Sequence, residues 1–200
     1  PIINNIARYR TRNLRGVTAD VINDTHDTSM DVPCSVLKQS LVFTNTVSTV
    51  VVQSSVLSSV TGGKLTFAVW IKPSNVLSYK AIVDTTNRHL SVFIHSTTQL
   101  FIAMGGFAGA SVTLSKSIEV DVWTHLMITC DGTNVNVYVN GVLANTNTNT
   151  SSTFTEALHF GDNPSGGGNR YLGKQTGWAF WNRCMPAGEV SEYYLQAKDN

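Results

Sequence analysis

Apolar and polar residues alternate along much of the chain after residue 63, and turn residues interrupt the alternation at short intervals. Residues 135–139 read Val-Asn-Val-Tyr-Val, and they lie between the dipeptides Asp131-Gly132 and Asn140-Gly141. Both dipeptides are strong hairpin signals, because tight primed turns need a positive φ. The pattern predicts three antiparallel strands between residues 123 and 145.

Other segments show the same alternation or short apolar runs. Residues 65–72 alternate until Pro73 ends the strand, and residues 177–183 place Trp178 and Phe180 on the face opposite Ala179 and Trp181. Further short strands are predicted within 41–43, 47–60, 81–84, 89–95, 99–104, 110–114 and 158–160. Many short strands with no helical segments between them predict an all-β fold, in which two antiparallel sheets pack face to face.

A single helix is predicted, close to the C-terminus. Pro186 suits a helical first turn, Glu189 lies near the positive end of the helix dipole, and Val190, Tyr193 and Tyr194 share one face. We expect this short helix to cap the sandwich. Residues 145–155 are predicted to form an exposed hairpin arm or edge strand, and residues 162–170 a long flexible loop.

The first 33 residues lack this periodicity and carry charge in two blocks. Arginines supply four positive charges, followed by four aspartates: Arg8, Arg10, Arg12, Arg15, Asp20, Asp24, Asp27 and Asp31. We interpret residues 1–33 as an extended arm and residues 34–200 as the sandwich domain. We expect Arg8, Tyr9, Arg10, Arg12 and Arg15 to dock on acidic groups of a neighbouring subunit. The alternatives are a solvated tail and contact with nucleic acid.

The overall composition narrows the class of protein. Charged residues make up 14% of the chain, Ser, Thr and Asn together supply 59 of 200 residues, and the net charge is +1. Such a molecule has no field that would draw it to nucleic acid or to an anionic membrane, and we expect neither as a partner. No apolar run reaches the length of a membrane span. The odd number of cysteines, three, favours reduced thiols and synthesis in a cytoplasm.

Five segments, taken in order, resemble the laminin-G-like, concanavalin A-like superfamily. They are Ser40-Leu-Val-Phe43, Lys64 to Pro73, Trp123 to Gly141, Leu158-His-Phe-Gly161 and Gly177 to Tyr194. The resemblance covers about residues 35–195 and leaves the arm unmatched. It implies a jelly-roll sandwich of roughly a dozen strands with one concave sheet, but no single activity, because fold does not fix function.

Catalytic and metal-binding patterns are weak. Glycoside hydrolysis needs two carboxylates about 5–9 Å apart, and the nearest approach to the family's glucanase motif is Glu119-Val-Asp121, which has Thr124 at the third position. We interpret this pair as a solvated strand entrance. His89 and His95 share a strand face but lie ~20 Å apart in an extended chain, too far for one metal ion. No nucleophile elbow or phosphate loop is present.

The remaining candidates are structural residues and one loop. His125 and His159 are expected to be structural, and the four large aromatic residues Trp70, Trp178, Trp181 and Tyr138 are expected to be core or rim residues rather than a sugar platform. We expect no cofactor, with Asp84 and Asp162 as weak calcium candidates. The loop residues Asp162, Asn163, Asn169, Arg170 and Tyr171 are the candidate ligand site.

These observations favour a non-enzymatic structural or attachment protein. Our specific hypothesis is a surface component of a virion, such as a phage capsid decoration or tail protein, which docks on other subunits of the particle through its arm. The alternative is a lectin-like, extracellular module that recognises cell-surface glycans.

Overall fold

The computed structural model describes residues 5–8, 40–44, 49–52, 60, 62–76, 79–104, 109–148, 156–164 and 168–198. These residues form thirteen strands and one helix. The elements are β1 (Asn5–Arg8), β2 (Leu41–Phe43), β3 (Val50–Val52), β4 (Lys64–Pro73), β5 (Lys80–Asp84), β6 (Leu90–Ser96), β7 (Gln99–Met104), β8 (Gly109–Thr113), β9 (Thr124–Asp131), β10 (Asn134–Val139), β11 (Val142–Thr148), β12 (Leu158–Phe160), β13 (Gly173–Trp181) and α1 (Ala187–Lys198).

The strands form two antiparallel sheets. The seven-stranded sheet has the order β1-β13-β4-β9-β10-β11, with β2 also paired to β13, and the six-stranded sheet has the order β3-β12-β5-β6-β7-β8. Every pair of named strands is antiparallel. The predicted fold class, a two-sheet jelly-roll sandwich with a short C-terminal helix, is confirmed.

The predicted three-stranded meander is β9-β10-β11, and its two turns differ. Asn140 and Gly141 have φ of 52° and 74°, as a two-residue primed turn requires. At the other turn, Gly132 has φ of 100°, and the carboxylate of Asp131 accepts hydrogen bonds from the backbone amides of Thr133 and Asn134 at 2.8 and 2.6 Å. This aspartate therefore closes the turn with its own side chain.

The core fills the space between the sheets and follows the alternation of the strands. In β13, Trp178 and Phe180 point into this core, and Phe160 of β12 lies 4.7 Å from Trp178 between ring centroids. The opposite face of β13 is also buried, because α1 covers it: Ala179 and Trp181 pack with Val190 in a second apolar cluster. The predicted division of faces in this strand is confirmed.

Two side-chain contacts, at Glu189 and Ser191, hold the N-terminal part of helix α1 in place. Arg183, just after β13, donates two hydrogen bonds to the carboxylate of Glu189, and the hydroxyl of Ser191 donates to the Gly141 carbonyl at 2.9 Å. In the part of the chain that the structure describes, no helix is long and apolar enough to cross a membrane.

The N-terminal strand lies at the outer edge of β13. β1 pairs with β13 from Ala179 to Trp181, while β2 occupies the same edge from Gly173 to Gln175. The arm residues Tyr9, Arg10, Arg12 and Arg15 lie outside the described residues, as does Cys34. Cys130 and Cys184 are free thiols.

Candidate functional site

The outer face of the six-stranded sheet carries an unusual set of aromatic side chains. Leu90, Val92 and Ile94 of β6 point into the core, so the residues between them and after them point outward. These outward residues include Phe93 and His95. The same parity places Phe101 of β7 on the outer face, directly opposite Phe93 in the strand register.

Four rings lie side by side on this face, and we call them the aromatic platform: Tyr79, Phe93, His95 and Phe101. Phe93 and Phe101 meet edge to face at 6.0 Å, Phe101 lies 6.0 Å from Tyr79, and Tyr79 stacks on His95 at 4.4 Å between centroids. Phe93 is almost fully buried beside Phe101, whereas Tyr79 is 37% exposed. The platform therefore presents rings to solvent above a buried aromatic base.

Arg88 adds a cation to the platform. Its guanidinium carbon lies 5.4 Å from the centroid of the Phe101 ring, and its buried Nε has no hydrogen-bond partner among the described residues. Arg88 and Tyr79 have φ of 58° and 53°, in the left-handed region that side chains rarely adopt. Such backbone strain persists where surrounding structure holds it, and it clusters at functional sites.

A glycine makes room for the Phe101 ring. A Cβ added to Gly109 of β8 would lie 2.1 Å from the tip of this ring, so Phe101 leans over a position that has no side chain. The absence of a side chain at residue 109 thus sets the orientation of the ring that Arg88 covers.

A buried carboxylate interacts electrostatically with Arg88. Asp84, at the end of β5, is fully buried and accepts a hydrogen bond from the hydroxyl of Ser91 at Oδ1, while its Oδ2 has no partner among the described residues. Burial raises the pKa of Asp84 to about 6, and the Ser91 hydrogen bond and the charge of Arg88 limit the rise. The site therefore retains a carboxylate that the fold does not fully satisfy.

The turn between β5 and β6 is held by side chains that accept bonds from its backbone. The Thr85 hydroxyl accepts from the amides of His89 at 2.7 Å and Leu90 at 3.3 Å. Glu156 accepts from the backbone amide of Asn87 at 2.8 Å and from its side-chain amide. Burial acts to raise the pKa of Glu156, but the bonds from Asn87 outweigh it and lower that pKa. These contacts fix the segment that carries Arg88.

The loop predicted as the ligand site lies along β5. The amide of Ala81 donates to the Asn169 carbonyl at 2.8 Å, and Arg170 forms an ion pair with Asp162 at 3.2 Å. The two other predicted residues point inward. Asn163 is 8% exposed, and Tyr171 is fully buried, with its hydroxyl donating to the Lys174 carbonyl at 3.1 Å. Burial raises the pKa of Tyr171.

The weak calcium candidates do not converge on one point. No group of three His, Cys, Asp or Glu residues suited to a metal ion occurs within the described ranges. Asp84 faces Ser91, whereas Asp162 faces Arg170.

The large aromatic residues considered in the sequence are buried. Trp70, Trp178, Trp181 and Tyr138 are between 1% and 6% exposed, so none can stack on a ligand. His125 is fully buried beside Trp70, at 5.0 Å, and Tyr194, at 5.6 Å. Burial lowers the pKa of His125 to about 3.

The carboxylates of the weak glycosidase motif are exposed in a turn before β9. The Glu119 carbonyl accepts a bond from the Val122 amide, and the Asp121 amide donates to the Pro73 carbonyl at 2.7 Å. Thr124 is buried in β9. This geometry agrees with the interpretation of Glu119 and Asp121 as a solvated strand entrance.

The sequence carries only part of the signal for the platform. The parity of residues 89–95 predicts that Phe93 and His95 share one face, but it does not predict that the face is aromatic across two strands. The pairing of Phe93 with Phe101 depends on strand register, and the positive φ at Tyr79 and Arg88 has no marker in the sequence.

Comparison with known proteins supports the fold. A sequence model of the concanavalin A-like lectin/glucanases superfamily matches residues 45–191. A comparison with curated proteins finds no significant match.

Solved structures with a similar fold are distant in sequence. A heptameric SAP-like pentraxin from Limulus polyphemus has a TM-score of 0.52 at 19% identity, covering 64% of this chain and 68% of the pentraxin chain. Domain 4 of an extracellular arabinanase from Geobacillus stearothermophilus, solved with arabinotriose, has a TM-score of 0.54 at 16% identity, covering 65% of this chain and 66% of that domain.

A third similar structure is that of botulinum neurotoxin type C, in a study of cell entry that depends on two ganglioside molecules. It has a TM-score of 0.57 at 14% identity and covers 74% of this chain and 40% of the toxin chain. The chain thus spans about two thirds of the first two structures and less than half of the third. Because the family match covers most of the sequence and the two-sheet sandwich agrees with it, this chain belongs to the concanavalin A-like lectin/glucanases superfamily.

Proposed function

We propose that this chain is a non-catalytic carbohydrate-binding module, and that the aromatic platform with Arg88 is its glycan site. The observation that carries the proposal is the strained backbone conformation of Tyr79 and Arg88. Both residues have a left-handed backbone conformation, and both side chains contact the Phe101 ring on the outer face of the sheet. Backbone strain at two residues of one surface favours a role in binding over a role in stability.

The chemistry of the platform suits a sugar. The apolar C–H face of a pyranose can pack on the exposed Tyr79 ring, as apolar ligand surface packs on aromatic side chains in binding sites. The Arg88 guanidinium lies over the Phe101 ring, and its terminal nitrogens would bond to sugar hydroxyls. Nε of Arg88 and Nδ1 of His95 are buried, so they do not reach a ligand on this face.

The comparisons support this class of ligand without identifying it. The arabinanase domain was solved with an oligosaccharide, and entry of the neurotoxin depends on gangliosides. Identity below 20% extends only the fold to this chain, so the ligand must be measured.

A glycan array tests the proposal, followed by an affinity measurement on the strongest hit. We expect Tyr79→Ala to weaken binding about 10-fold, which corresponds to ~1.4 kcal/mol for the loss of one stacking ring. Leu195→Ala is the matched control, because Leu195 is 54% exposed on α1, away from the platform. It should bind as the wild type does. An array with no hit, or equal binding by the Tyr79 variant, would refute the proposed site.

Attachment to a larger assembly is a second candidate function, with a virion surface as its setting. What supports it is the position of β1, which pairs with the outer edge of β13. A strand that adds to a sheet edge within one chain can add to the same edge of a neighbouring subunit. Residues 1–33 would then join the domain to other subunits of the particle.

Deletion of residues 1–33 tests this second candidate, with co-sedimentation of the chain and the particle as the readout. A variant with Arg8, Arg10, Arg12 and Arg15 changed to Gln keeps the backbone and removes only the charge. We expect the deletion to abolish co-sedimentation and the charge variant to weaken it. Undiminished co-sedimentation of the deleted chain would exclude the arm as the attachment.

A further inference from the structure

A second surface feature lies at one end of the seven-stranded sheet. A cleft of about 340 Å³ is bordered by β2, β4, β13 and the turn before β9. Its walls include Val42, Lys72, Ser74, Asp121, Gly173 and Lys174. This end of the sheet is separate from the cluster that α1 covers.

Two lysines face each other across this cleft. Lys72 of β4 and Lys174 of β13 are direct partners in the antiparallel register, so their side chains leave the same face of the sheet. The only ion pairs among the described residues are Asp162 with Arg170 and Arg183 with Glu189, so neither lysine has an acid within 4.0 Å there. Like charges directly opposite each other destabilise a sheet. The pair of lysines therefore lowers the stability of the free protein.

Two residues with a positive φ, Gly173 and Asp121, shape the backbone around the cleft. Gly173 has φ of 131°, and a Cβ at this position would lie 2.3 Å from the Lys72 carbonyl oxygen. Asp121 has φ of 58°, held by the hydrogen bond from its amide to the Pro73 carbonyl. The floor and one wall are therefore preformed rather than dependent on a ligand.

The groups around the cleft define the ligand. Two ammonium groups and one carboxylate give the cleft a net charge of +1. This charge favours a ligand with an anionic group that the ammonium groups bind and a hydroxyl that donates to the carboxylate. Val42 is 58% exposed and is the register partner of Lys174, so an apolar wall adjoins the cations. A volume of this size suits one sugar ring.

We propose that this cleft is a subsite for an acidic sugar, with its carboxylate or sulfate between Lys72 and Lys174 and a hydroxyl donating to Asp121. The inference rests on the proposed glycan-binding function and gives it a class of substrate, since a neutral glycan would leave the two cations unpaired. The platform lies on the outer face of the other sheet, so the cleft is a separate site for the charged sugar.

Amide chemical shifts measured by NMR test the subsite, because they detect even millimolar binding. The probes are glucuronate, glucose as the neutral counterpart, and inorganic sulfate as the anion without a ring. We expect glucuronate to shift the amides of Lys72, Gly173 and Asp121 and to bind at least about 5-fold more tightly than either other probe. Lys72→Gln and Lys174→Gln should each weaken glucuronate binding about 5-fold or more, and Lys116→Gln, an exposed lysine elsewhere, should not.

Thermal unfolding gives an independent readout without ligand. Because one lysine repels the other, Lys174→Gln should raise the melting temperature of the free protein by roughly 1–3 °C, whereas Lys116→Gln should leave it unchanged.

Several outcomes would overturn the proposal. Equal glucuronate binding by the lysine variants, sulfate binding as tight as glucuronate, or no shifts at all would each do so. If these results occurred while neutral glycans bound the platform in the array, the subsite would fail and the proposed function would stand. If the array also gave no hit, both would fail.

Discussion

Asp84 is a buried carboxylate that the fold retains at a cost in stability. Its pKa of about 6 in the folded chain lies above its ordinary value of 3.8, because burial disfavours the charge. The folded state therefore holds the proton more tightly than the unfolded state. This contribution to stability is fully present below pH ~4 and is lost as pH rises through about 6.

Asp84→Asn removes this titration while leaving an oxygen for the Ser91 hydroxyl. We expect the variant to be more stable than the wild type at pH 7–8, by about 1–3 kcal/mol in the free energy of unfolding, and to match it near pH 4. Urea unfolding at both pH values measures the difference. A variant less stable than the wild type at pH 8 would contradict this expectation. It would show that the charged carboxylate makes a stabilising interaction beyond its hydrogen bond with Ser91.

His125 responds to pH in the opposite direction. Its pKa of about 3 in the folded chain lies below the ordinary value of 6.5, because burial disfavours the charged ring. The unfolded state binds the proton first as pH falls. Stability is therefore lost between pH 6.5 and 3, by up to about 1.4 kcal/mol per pH unit.

His125→Phe tests this account, because neither ring nitrogen has a hydrogen-bond partner among the described residues and the neighbours are aromatic. We expect the variant to lack the His125 contribution, so that its stability in urea unfolding increases as pH falls from 6.5 to 4, as the titration of Asp84 alone requires. An unchanged pH slope would mean that His125 is not the group responsible. The wild type should show a shallow curve from pH 4 to 6, because Asp84 and His125 act there with opposite signs.

At the scale of elements, the hairpin turn between β10 and β11 supports helix α1. A Cβ on Gly141 would lie 2.7 Å from the Tyr194 ring, and the residue has φ of 74°. Tyr194 in turn packs 5.9 Å from Trp70. The turn and the helix therefore constrain each other.

Gly141→Ala should destabilise the protein more than Gly62→Ala. Both glycines have a positive φ, at which Ala costs about 1–2 kcal/mol, but nothing lies within 4 Å of a Cβ at Gly62. The contact with Tyr194 should add a further 1–3 kcal/mol, roughly the cost of overpacking. Urea unfolding followed by tryptophan fluorescence compares the two. Equal losses would show that α1 adjusts freely to the turn.

The alternation of residues predicted the strands well, because side-chain parity follows directly from strand geometry. The meander, the strand around Leu65 to Ile71 and the faces of β13 all followed from it. Parity does not show what covers the outward face, however. Trp70 and Trp181 point away from the main core and are still buried, because α1 lies on them.

The candidate site was harder to predict for the same reason. Tyr79 and Arg88 come from segments outside the strands, and they meet Phe101 only after β6 and β7 pair in register. The cleft likewise depends on the pairing of Lys72 with Lys174, which lie 102 positions apart in the chain. Such contacts between distant residues require the three-dimensional structure.

At the scale of the whole molecule, the outer faces of the two sheets differ. The outer face of the seven-stranded sheet is largely covered by α1, which leaves the lysine cleft at one end. The outer face of the six-stranded sheet carries the aromatic platform in the open. The platform and the cleft are therefore candidate sites on opposite outer faces, and each is tested separately.

The most direct test of this account is chemical-shift mapping of the wild type with its strongest neutral hit from the array. We predict that the largest amide shifts fall in residues 79–104, with Tyr79, Arg88, His95 and Phe101 at their centre, and that Tyr79→Ala moves the midpoint of the titration to about 10-fold higher glycan concentration. Shifts confined to another surface of the domain, with the platform unchanged at saturation, would contradict the central claim.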